Sequence, residues 1–352
     1  MKILEINTEK TWRGGERQTF FALKGFKGLG HTVELLAREY FPLIKKSEEL
    51  EIKTYSVKSH LGVVPFLMKY GKNYDILHVQ TASLLTFAVL TKPFHNCKVV
   101  YTRRLDFVPK GWLTRWKYNQ ADLIVAISTP IKTILETIGV KNIVLIPECI
   151  EAKSLDKKRA LKFLKENGFE GKKIIGTTSA LVQHKDPQTL VKAIALLANR
   201  RSDFIMLHFG DGVLRNEVEQ LIVQNKLSSV YKLAGFVENV EDFFSIFDVF
   251  VMSSEEEGLG SSVLDAFIYK VPVVSTNAGG LAELLEGRGT LVNIKDPVSL
   301  CEALDTALEN SNQREYLVNE AFRYASDNLT IEMIHKQYTD NFKKLIEEKE
   351  HN

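Results

Sequence analysis

Two acidic residues, Glu257 and Asp265, have a spacing that places both of them near the start of one helix. Glu257 lies just before a glycine-rich turn, and Asp265 follows eight residues later, two turns into a helix predicted over Ser261–Tyr269. Carboxylates placed in this way can accept hydrogen bonds from the hydroxyls of a polyol such as a sugar or a ribose, and backbone N–H groups at the helix start suit a phosphate. The alternative is structural, with Glu257 favouring the helix dipole and Asp265 solvated.

The stretch around these two residues alternates between short apolar runs and glycine turns. Val249–Met252 and Pro272–Ser275 read as buried parallel strands, and Ala278–Gly280 as a turn into a further helix. Helices interleaved with short apolar strands continue through both halves of the chain, which predicts parallel sheets covered on both faces. Ligands bind such sheets beyond the carboxyl ends of the strands, so residues at those ends are the candidates for function.

Polar residues also follow strands in the first half of the chain. His78 lies in the strand predicted over Asp75–Val79, and Arg104 and Asp106 follow the strand predicted over Lys98–Thr102. An arginine beside an aspartate can hold a phosphorylated or carboxylated acceptor, with Asp106 orienting its hydroxyl. A buried Arg–Asp pair that stabilises the loop is the alternative, and His78 can equally be a satisfied histidine under the sheet.

Two further loops suit an anion. Gly14 and Gly15 follow the strand Lys2–Asn7, and adjacent glycines before a helix let backbone N–H groups approach an anion closely. They do not form the GxGxxG motif of a dinucleotide site, which argues against a dehydrogenase. Lys185 lies in the loop Ala180–Pro187, where its ammonium can neutralise a diphosphate. A tight turn and a surface lysine are the structural alternatives.

The motifs of the second half match a known pattern. Glu-Gly-Leu-Gly-Ser at 257–261, the acidic residue at 265, Pro-Val-Val at 272–274 and Ala-Gly-Gly-x-x-Glu at 278–283 resemble the nucleotide-sugar-binding segment of retaining GT-B glycosyltransferases of family 4. That family usually has a second glutamate where this chain has Asp265, and an arginine where it has Ala180. The resemblance covers nearly the whole chain and is strongest over 173–285.

The resemblance implies an α/β GT-B fold, in which two Rossmann-like domains face each other across a cleft. We expect an acceptor-binding domain over 1–150, a nucleotide-sugar-binding domain over 151–329, and a C-terminal helix over 330–352 that returns to the first domain. The pause in strand and helix alternation near Pro147–Ser154 agrees with a linker there.

The resemblance also assigns roles to individual residues. Lys185 would bind the donor diphosphate, Glu257 would orient the hydroxyls of the donor sugar, and Asp265 would contact the ribose. Arg104 and Asp106 complete the predicted catalytic set on the acceptor side. The predicted donor-binding residues are Gly14, Gly15, Lys185, Gly210, Gly235, Val237, Glu257, Gly258, Leu259, Gly260, Ser261, Ser262 and Asp265, with Arg13, Glu16 and Arg17 as neighbours of the first two.

The implied reaction is transfer of a sugar, with retention of anomeric configuration, from a nucleotide sugar to a hydroxyl of a cell-envelope glycan or glycolipid such as lipopolysaccharide core. No cofactor or metal is expected, because the nucleotide sugar is a co-substrate and positive groups on the protein replace a divalent metal. The nucleotide base stays open. Two alternatives remain: a nucleotide-sugar epimerase of the same fold, and a non-catalytic sugar-nucleotide-binding protein, suggested by Ala180 and Asp265.

Composition and charge set the remaining expectations. The chain is 45% hydrophobic and 26% charged, as in ordinary soluble globular proteins. Its first 150 residues hold 22 lysines and arginines against 13 acidic residues, a net charge of +9, whereas residues 151–352 carry −7. We expect a cytoplasmic protein, since no run of roughly 18 apolar residues occurs and the first apolar run is too short for a signal peptide. No nucleic-acid partner is expected.

A helix predicted near Leu113–Asn119 combines tryptophans with basic residues. Trp112 and Trp116 beside Lys110 and Arg115 suit peripheral binding to an anionic membrane surface. The alternative is a solvated basic helix whose tryptophans pack inward.

The cysteines match no metal or redox motif. Cys97, Cys149 and Cys301 lie far apart in the sequence, and the histidines are scattered without a pair typical of a metal site. We therefore predict reduced cysteines, mostly in the core, and no metal site.

Overall fold

A computed structural model describes residues 1–309 and 312–350. The chain forms two compact units. Unit 1 comprises Met1–Cys149 together with the segment from Asn328 onward, and unit 2 comprises Ile150–Asp327.

Unit 1 is built on a parallel sheet. Its strands are β1 (Lys2–Asn7), β2 (Thr32–Arg38), β3 (Lys53–Val57), β4 (Ile76–Val79), β5 (Lys98–Arg103), β6 (Leu123–Ala126) and β7 (Ile143–Leu145). They form a seven-stranded sheet of order β3-β2-β1-β4-β5-β6-β7. The helices are α1 (Gly14–Gly28), α2 (Pro42–Glu48), α3 (Val63–Tyr70), α4 (Ala82–Leu90), α5 (Lys92–His95), α6 (Trp112–Gln120) and α7 (Thr129–Thr137).

Unit 2 repeats this plan with a six-stranded parallel sheet. Its strands are β8 (Lys173–Thr178), β9 (Phe204–Phe209), β10 (Tyr231–Gly235), β11 (Val249–Met252), β12 (Val273–Thr276) and β13 (Thr290–Val292). The strand order is β10-β9-β8-β11-β12-β13. The helices are α8 (Lys157–Glu166), α9 (Pro187–Ala198), α10 (Arg215–Gln224), α11 (Ser261–Ile268), α12 (Gly280–Leu285), α13 (Pro297–Leu308) and α14 (Asn312–Asn328).

The central strands are mostly apolar and buried because helices cover both faces of each sheet. All residues of β4, β9 and β11 are buried. In unit 2, Leu190 and Ile194 of α9 and Leu300 of α13 share one core cluster with Met206 of β9. The predicted parallel sheets and the two-domain α/β architecture are therefore confirmed.

The last helix, α15 (Ile331–Glu350), belongs to unit 1 and packs on α1. The ring of Phe26 on α1 lies 5.0 Å from the His335 ring and 5.5 Å from the Phe342 ring, centroid to centroid. Both α15 side chains are buried, so the C-terminal segment completes the core of unit 1.

The structure corrects one local prediction. Gly14 and Gly15 form the first turn of α1, whereas the sequence predicted a glycine turn before the helix. The carboxylate of Glu16 accepts the backbone N–H of Arg13 at 2.9 Å, and this cap starts the helix directly after Arg13. In the described ranges, no helix has both the length and the apolar character needed to cross a membrane.

Candidate active site

In unit 2, the loops that follow β8 and β11 are bonded to each other because these strands are neighbours in the sheet. The N–H of Glu255 donates to the carbonyl of His184 at 2.8 Å. The Ser253 hydroxyl donates to the carbonyl of Asp186 at 2.9 Å. These bonds fix the short helical turn Gln183–Lys185 against the loop after β11.

The same arrangement brings Lys185 and Glu257 together, although 72 positions separate them in the chain. The Lys185 ammonium donates to Oε2 of Glu257, and the Ser254 hydroxyl donates to that oxygen at 3.3 Å. The two side chains are 18% and 13% exposed, so each keeps a face open to a ligand. An ammonium can stabilise phosphate charge and a carboxylate can accept sugar hydroxyls, which is the chemistry predicted for these residues.

A glycine turn leads from Glu257 into α11. Gly260 has φ of +97°, and a Cβ atom there would come within 2.6 Å of Leu281 Cδ2, so only glycine fits this turn. The Glu257 carbonyl accepts the N–H of Gly280, which joins the turn to the start of α12. Gly258 and Leu259 are buried within the turn.

The first residues of α11 lie at the same carboxyl edge. The Ser262 hydroxyl donates to the carbonyl of Thr178, the last residue of β8, at 3.1 Å, and Ser261 opens the helix. Asp265 is only 4% exposed, so the alternative of a solvated Asp265 is wrong. The Asp265 carboxylate is buried on α11, which begins at this edge, and this burial agrees with a side chain that the fold holds in one position.

Three further predicted donor-binding residues lie at the carboxyl ends of β9 and β10: Gly210 just after β9, Gly235 as the last residue of β10, and Val237 in the loop after it. The N–H of Gly210 donates to the carbonyl of Gly235 at 2.8 Å and closes an antiparallel bridge between these strand ends. Val237 is half-buried two residues later. Strand order places both strand ends at the carboxyl edge beside β8, which also carries the Lys185 loop.

In unit 1, Arg104 is held by two acceptors. Its Nε donates to Oε1 of Glu148 at 3.0 Å, and one terminal nitrogen donates to Oε1 of Gln80 at 2.7 Å. Gln80 in turn donates from Nε2 to Oε2 of Glu5 at 2.7 Å, which fixes the orientation of its amide. The guanidinium is therefore fixed by side chains from two other segments of the unit.

Glu5 also anchors a second branch of this network. The other oxygen of Glu5 is 2.6 Å from His78 Nδ1, and His78 Nε2 is 2.8 Å from the Thr102 hydroxyl. The Thr102 hydroxyl lies 3.1 Å from the hydroxyl of Tyr338 on α15. His78 is thus buried with both ring nitrogens bonded, as the structural alternative for this histidine proposed.

The other candidates of unit 1 are Asp106, Gly14 and Gly15. Asp106 is half-buried in the loop between β5 and α6. Gly14 and Gly15 lie in the first turn of α1, and burial raises the pKa of the neighbouring Glu16 carboxyl. A small cavity at the end of the sheet is lined by Gln18, Gln80, Arg104, Glu148, Cys149 and Tyr338, among others.

Sequence reasoning missed the side chains that hold Arg104. Glu5 is the single acidic residue of β1 and lies between apolar neighbours, and Gln80 and Glu148 each follow a strand end. A charged residue inside a buried strand needs a paired group, so Glu5 was the one available signal, although the sequence alone does not show that this position is buried.

Two family models match the chain. The model described as "Glycosyl transferases group 1" matches residues 159–324, and the model described as "Glycosyltransferase Family 4" matches residues 12–153. The chain belongs to the glycosyltransferases of group 1 and family 4. Its predicted family and enzyme class are thereby confirmed.

Individual relatives of this glycosyltransferase agree with that assignment. A 2-deoxystreptamine N-acetyl-D-glucosaminyltransferase of Niallia circulans is 24% identical over 80% of this chain and 81% of its own length. The lipopolysaccharide core biosynthesis glycosyltransferase LpsE of Rhizobium meliloti is 27% identical over 41% of this chain and 42% of its own length. These relatives support transfer of a sugar from an activated donor as the general reaction.

A solved structure confirms the fold of the glycosyltransferase. Anabaena Alr3699/HepE, determined in complex with UDP and glucose, superimposes with a TM-score of 0.86 at 19% identity and covers 98% of this chain and 100% of that one. The two Rossmann-like domains of the GT-B fold are therefore present here, as the sequence predicted.

Proposed function

We propose that this glycosyltransferase transfers its sugar with retention of configuration, binding the nucleotide-sugar donor in unit 2 and a cell-envelope glycan or glycolipid in unit 1. The contact between the Lys185 ammonium and the Glu257 carboxylate carries the donor half of this proposal. In this contact, a cation that can bind phosphate lies beside a carboxylate that can accept sugar hydroxyls, just before α11.

The proposed chemistry follows from charge. Cleavage of the donor's anomeric C–O bond leaves negative charge on the diphosphate, and the Lys185 ammonium and the first turn of α11 stabilise it. Glu257 accepts hydrogen bonds from the donor sugar, while Asp265 orients the ribose. A donor phosphate oxygen receives the proton of the acceptor hydroxyl as that hydroxyl attacks on the same face. Protein cations supply the positive charge in this scheme, so it needs no divalent metal.

The acceptor half rests on Arg104 and Asp106. Glu148 and Gln80 fix the Arg104 guanidinium in one orientation, which suits recognition of a phosphate or carboxylate on the acceptor. Asp106 in the same loop would orient the reacting hydroxyl. The similarity to LpsE, whose name assigns it to lipopolysaccharide core biosynthesis, supports an envelope glycan as the acceptor class.

A donor screen tests this proposal. UDP-, GDP- and ADP-sugars are added without metal to the wild type, to Glu257→Ala and to Glu256→Ala, and thermal stability and donor hydrolysis are measured. We expect one donor to stabilise the wild type and to be hydrolysed slowly, with hydrolysis lost in Glu257→Ala. Glu256 is exposed beside the site and serves as the matched control, which should keep wild-type hydrolysis.

Other outcomes select the alternatives. Binding of a donor without any turnover would replace the transferase with a non-catalytic sugar-nucleotide-binding protein. Release of nucleotide with an epimerised sugar, without need of an acceptor, would favour the epimerase. Early product analysis by NMR reports the anomeric configuration, and an inverted product would contradict retention.

We also propose that α6 and the loop before it bind an anionic bilayer surface. Trp112 is 75% exposed and Trp116 43%, so the alternative in which the tryptophans pack inward is wrong. Phe107 and Val108 are exposed in the preceding loop, and Lys110 and Arg115 add positive charge. Exposed aromatic residues beside cations match the chemistry of an anionic membrane interface.

Vesicle sedimentation tests this surface. We expect binding to phosphatidylglycerol vesicles that is lost in Trp112→Ala/Trp116→Ala. The matched control is Val223→Ala/Tyr316→Ala, which removes two exposed apolar side chains from unit 2 and should bind like the wild type. Equal binding by both double variants would show that α6 is not the membrane contact.

A further inference from the structure

One aromatic residue of unit 1 has a conformation that disfavours the folded state. Tyr40 has φ of +63° and its side chain is 96% exposed. Among the non-glycine residues with positive φ in the described ranges, it is the only aromatic. A bulky side chain in the left-handed region costs free energy, and a ring in water returns none of it by packing. Such a residue points to binding rather than to folding.

A second aromatic residue lies at the end of the neighbouring strand. Tyr40 follows β2, and Trp12 lies in the loop after β1, which pairs with β2 in parallel. The Lys46 ammonium is 4.7 Å from the centre of the Trp12 ring, and Phe20 contacts Trp12 edge-on at 6.2 Å between centroids. Trp12 is therefore held in place, whereas the Tyr40 ring is open on both faces.

Two cations lie close to these aromatic segments. The Lys46 ammonium lies over the Trp12 ring, and the Arg38 guanidinium, two residues before Tyr40 in the chain, lies 5.8 Å from the Phe41 ring centre. Aromatic faces bind the C–H faces of sugar rings through apolar contact, and cations bind their anionic substituents. The combination suits a carbohydrate better than a purely apolar ligand.

The strand order of the sheet gives the distance between Tyr40 and Arg104. In the order β3-β2-β1-β4-β5, the strand before Tyr40 and the strand before Arg104 are three spacings apart. Neighbouring strands lie about 4.8 Å apart, so the two strand ends are separated by about 14 Å. This span exceeds one sugar ring, and Trp12 lies between its ends.

We propose that Tyr40 and Trp12 form a distal glycan subsite, so that the acceptor is an oligosaccharide that extends from Arg104 to Tyr40. The inference rests on the proposed function in one respect, namely that the Arg104 end receives the reacting sugar. It adds a substrate class: acceptors of two or more sugar units bind better than single sugars, because only they reach Tyr40.

Binding of defined probes tests the subsite. Saturation-transfer NMR and titration compare N-acetylglucosamine with chitobiose and chitotriose, and glucose with maltose and maltotriose. We expect the trimer of at least one series to bind about tenfold more tightly than its monomer, an effect in the range of one aromatic contact. In Tyr40→Ala the trimer should bind no better than the monomer. The matched control is Tyr316→Ala, an exposed tyrosine of unit 2, which should keep the length dependence.

A second variant separates binding from folding. Tyr40→Gly relieves the left-handed strain, so its melting temperature should rise above that of the wild type while the length dependence disappears. A purely structural role for Tyr40 would not give higher stability together with weaker trimer binding. Length-independent binding in the wild type, or length dependence that survives in both Tyr40 variants, overturns the subsite.

Donor hydrolysis by the wild type is measured in parallel to keep the two proposals distinct. Donor hydrolysis without any dependence of binding on glycan length rejects the subsite and supports the proposed transferase chemistry. Length dependence that requires Tyr40, without hydrolysis of any donor, supports the subsite and rejects the proposed transferase chemistry.

Discussion

The candidate sites of the two units are held by different kinds of interaction. In unit 2, backbone bonds and the Gly260 turn place Glu257 beside Lys185. In unit 1, a chain of buried side chains that runs from Glu5 through Gln80 orients Arg104. Both sites lie at the carboxyl ends of parallel strands, yet one depends on chain geometry and the other on paired polar groups.

This difference predicts how each site responds to substitution. A site held by backbone turns tolerates changes in its side chains without loss of structure, so its substitutions should reduce activity. A site held by a buried polar network couples function to folding, because removal of one member leaves its partners unsatisfied. The following predictions test this contrast, from the largest expected effect to the smallest.

Lys185→Ala should have the largest effect of these substitutions, and this effect should be on catalysis and not on stability. Loss of the ammonium removes charge stabilisation of the leaving diphosphate and should lower kcat for transfer about 10²- to 10³-fold. The melting temperature should stay close to that of the wild type. Lys192→Ala, an exposed lysine of α9, is the control with wild-type kcat. A fall in kcat of less than about tenfold would remove Lys185 from the catalytic set.

Glu5→Ala should act on stability first. The substitution leaves the Gln80 amide and the His78 ring without their buried acceptor, at a cost of about 3 kcal/mol in the free energy of unfolding. Hydrogen exchange should accelerate in β1 and β4 of unit 1 and stay unchanged in β8 and β11. Glu48→Ala, an exposed glutamate of α2, is the control. Equal protection of β1 in both variants would show that the network does not stabilise unit 1.

Two buried histidines, one in each unit, have strongly depressed pKa values. Burial lowers the pKa of His208 in unit 2 and of His335 in unit 1 to about 4 from the ordinary 6.5. Because the unfolded chain binds a proton first, the stabilising contribution is complete above pH 6.5 and is lost as the pH falls towards 4.

We therefore expect each unit to lose about 2 kcal/mol of stability between pH 6.5 and pH 5. Denaturation at several pH values, followed by hydrogen exchange in each unit, measures this slope. His335→Gln should reduce the slope in unit 1 and leave the slope in unit 2 unchanged. A slope that is the same in this variant and in the wild type would contradict the assignment.

Two glycine substitutions give the smallest and most opposed effects. Gly260→Ala introduces a side chain at φ of +97° against Leu281 and should cost about 1 to 2 kcal/mol of stability together with donor binding. A Cβ atom at Gly15 meets no atom within 4 Å, so Gly15→Ala in the first turn of α1 should be neutral or stabilise by about 0.5 kcal/mol. Thermal melts measure both.

Gly15→Ala also sharpens the comparison between the units. If it lowers donor or acceptor binding without loss of stability, Gly15 faces a ligand as predicted. Wild-type binding would leave Gly15 with a role in helix initiation only.

Much of the fold was predictable because the central strands are continuous apolar runs between helices. The sequence analysis did not predict β3 or β13, and both lie at the edges of their sheets. Edge strands are less buried and lack the apolar run of a central strand, as the partly exposed residues of both strands show. The apolar run that identifies a strand in a sequence is therefore too weak in these two edge strands.

The two candidate sites also differ in how far the sequence predicts them. Glu257 and its turn are local in sequence, so a motif predicts them. The environment of Arg104 depends on Glu5, Gln80 and Glu148, which meet only in the folded unit. A single glutamate in a strand can face water or a buried partner, and the sequence alone does not separate these two cases.

The return of α15 to unit 1 affects the order in which the chain can fold during synthesis. Unit 1 starts at the first residue but needs Phe342 and His335 to cover Phe26, and these leave the ribosome after every residue of unit 2. Domains commonly fold in the order of translation, from the N-terminus onward. Here the second unit is synthesised completely first, and the nascent first unit keeps an uncovered apolar face until α15 has been synthesised.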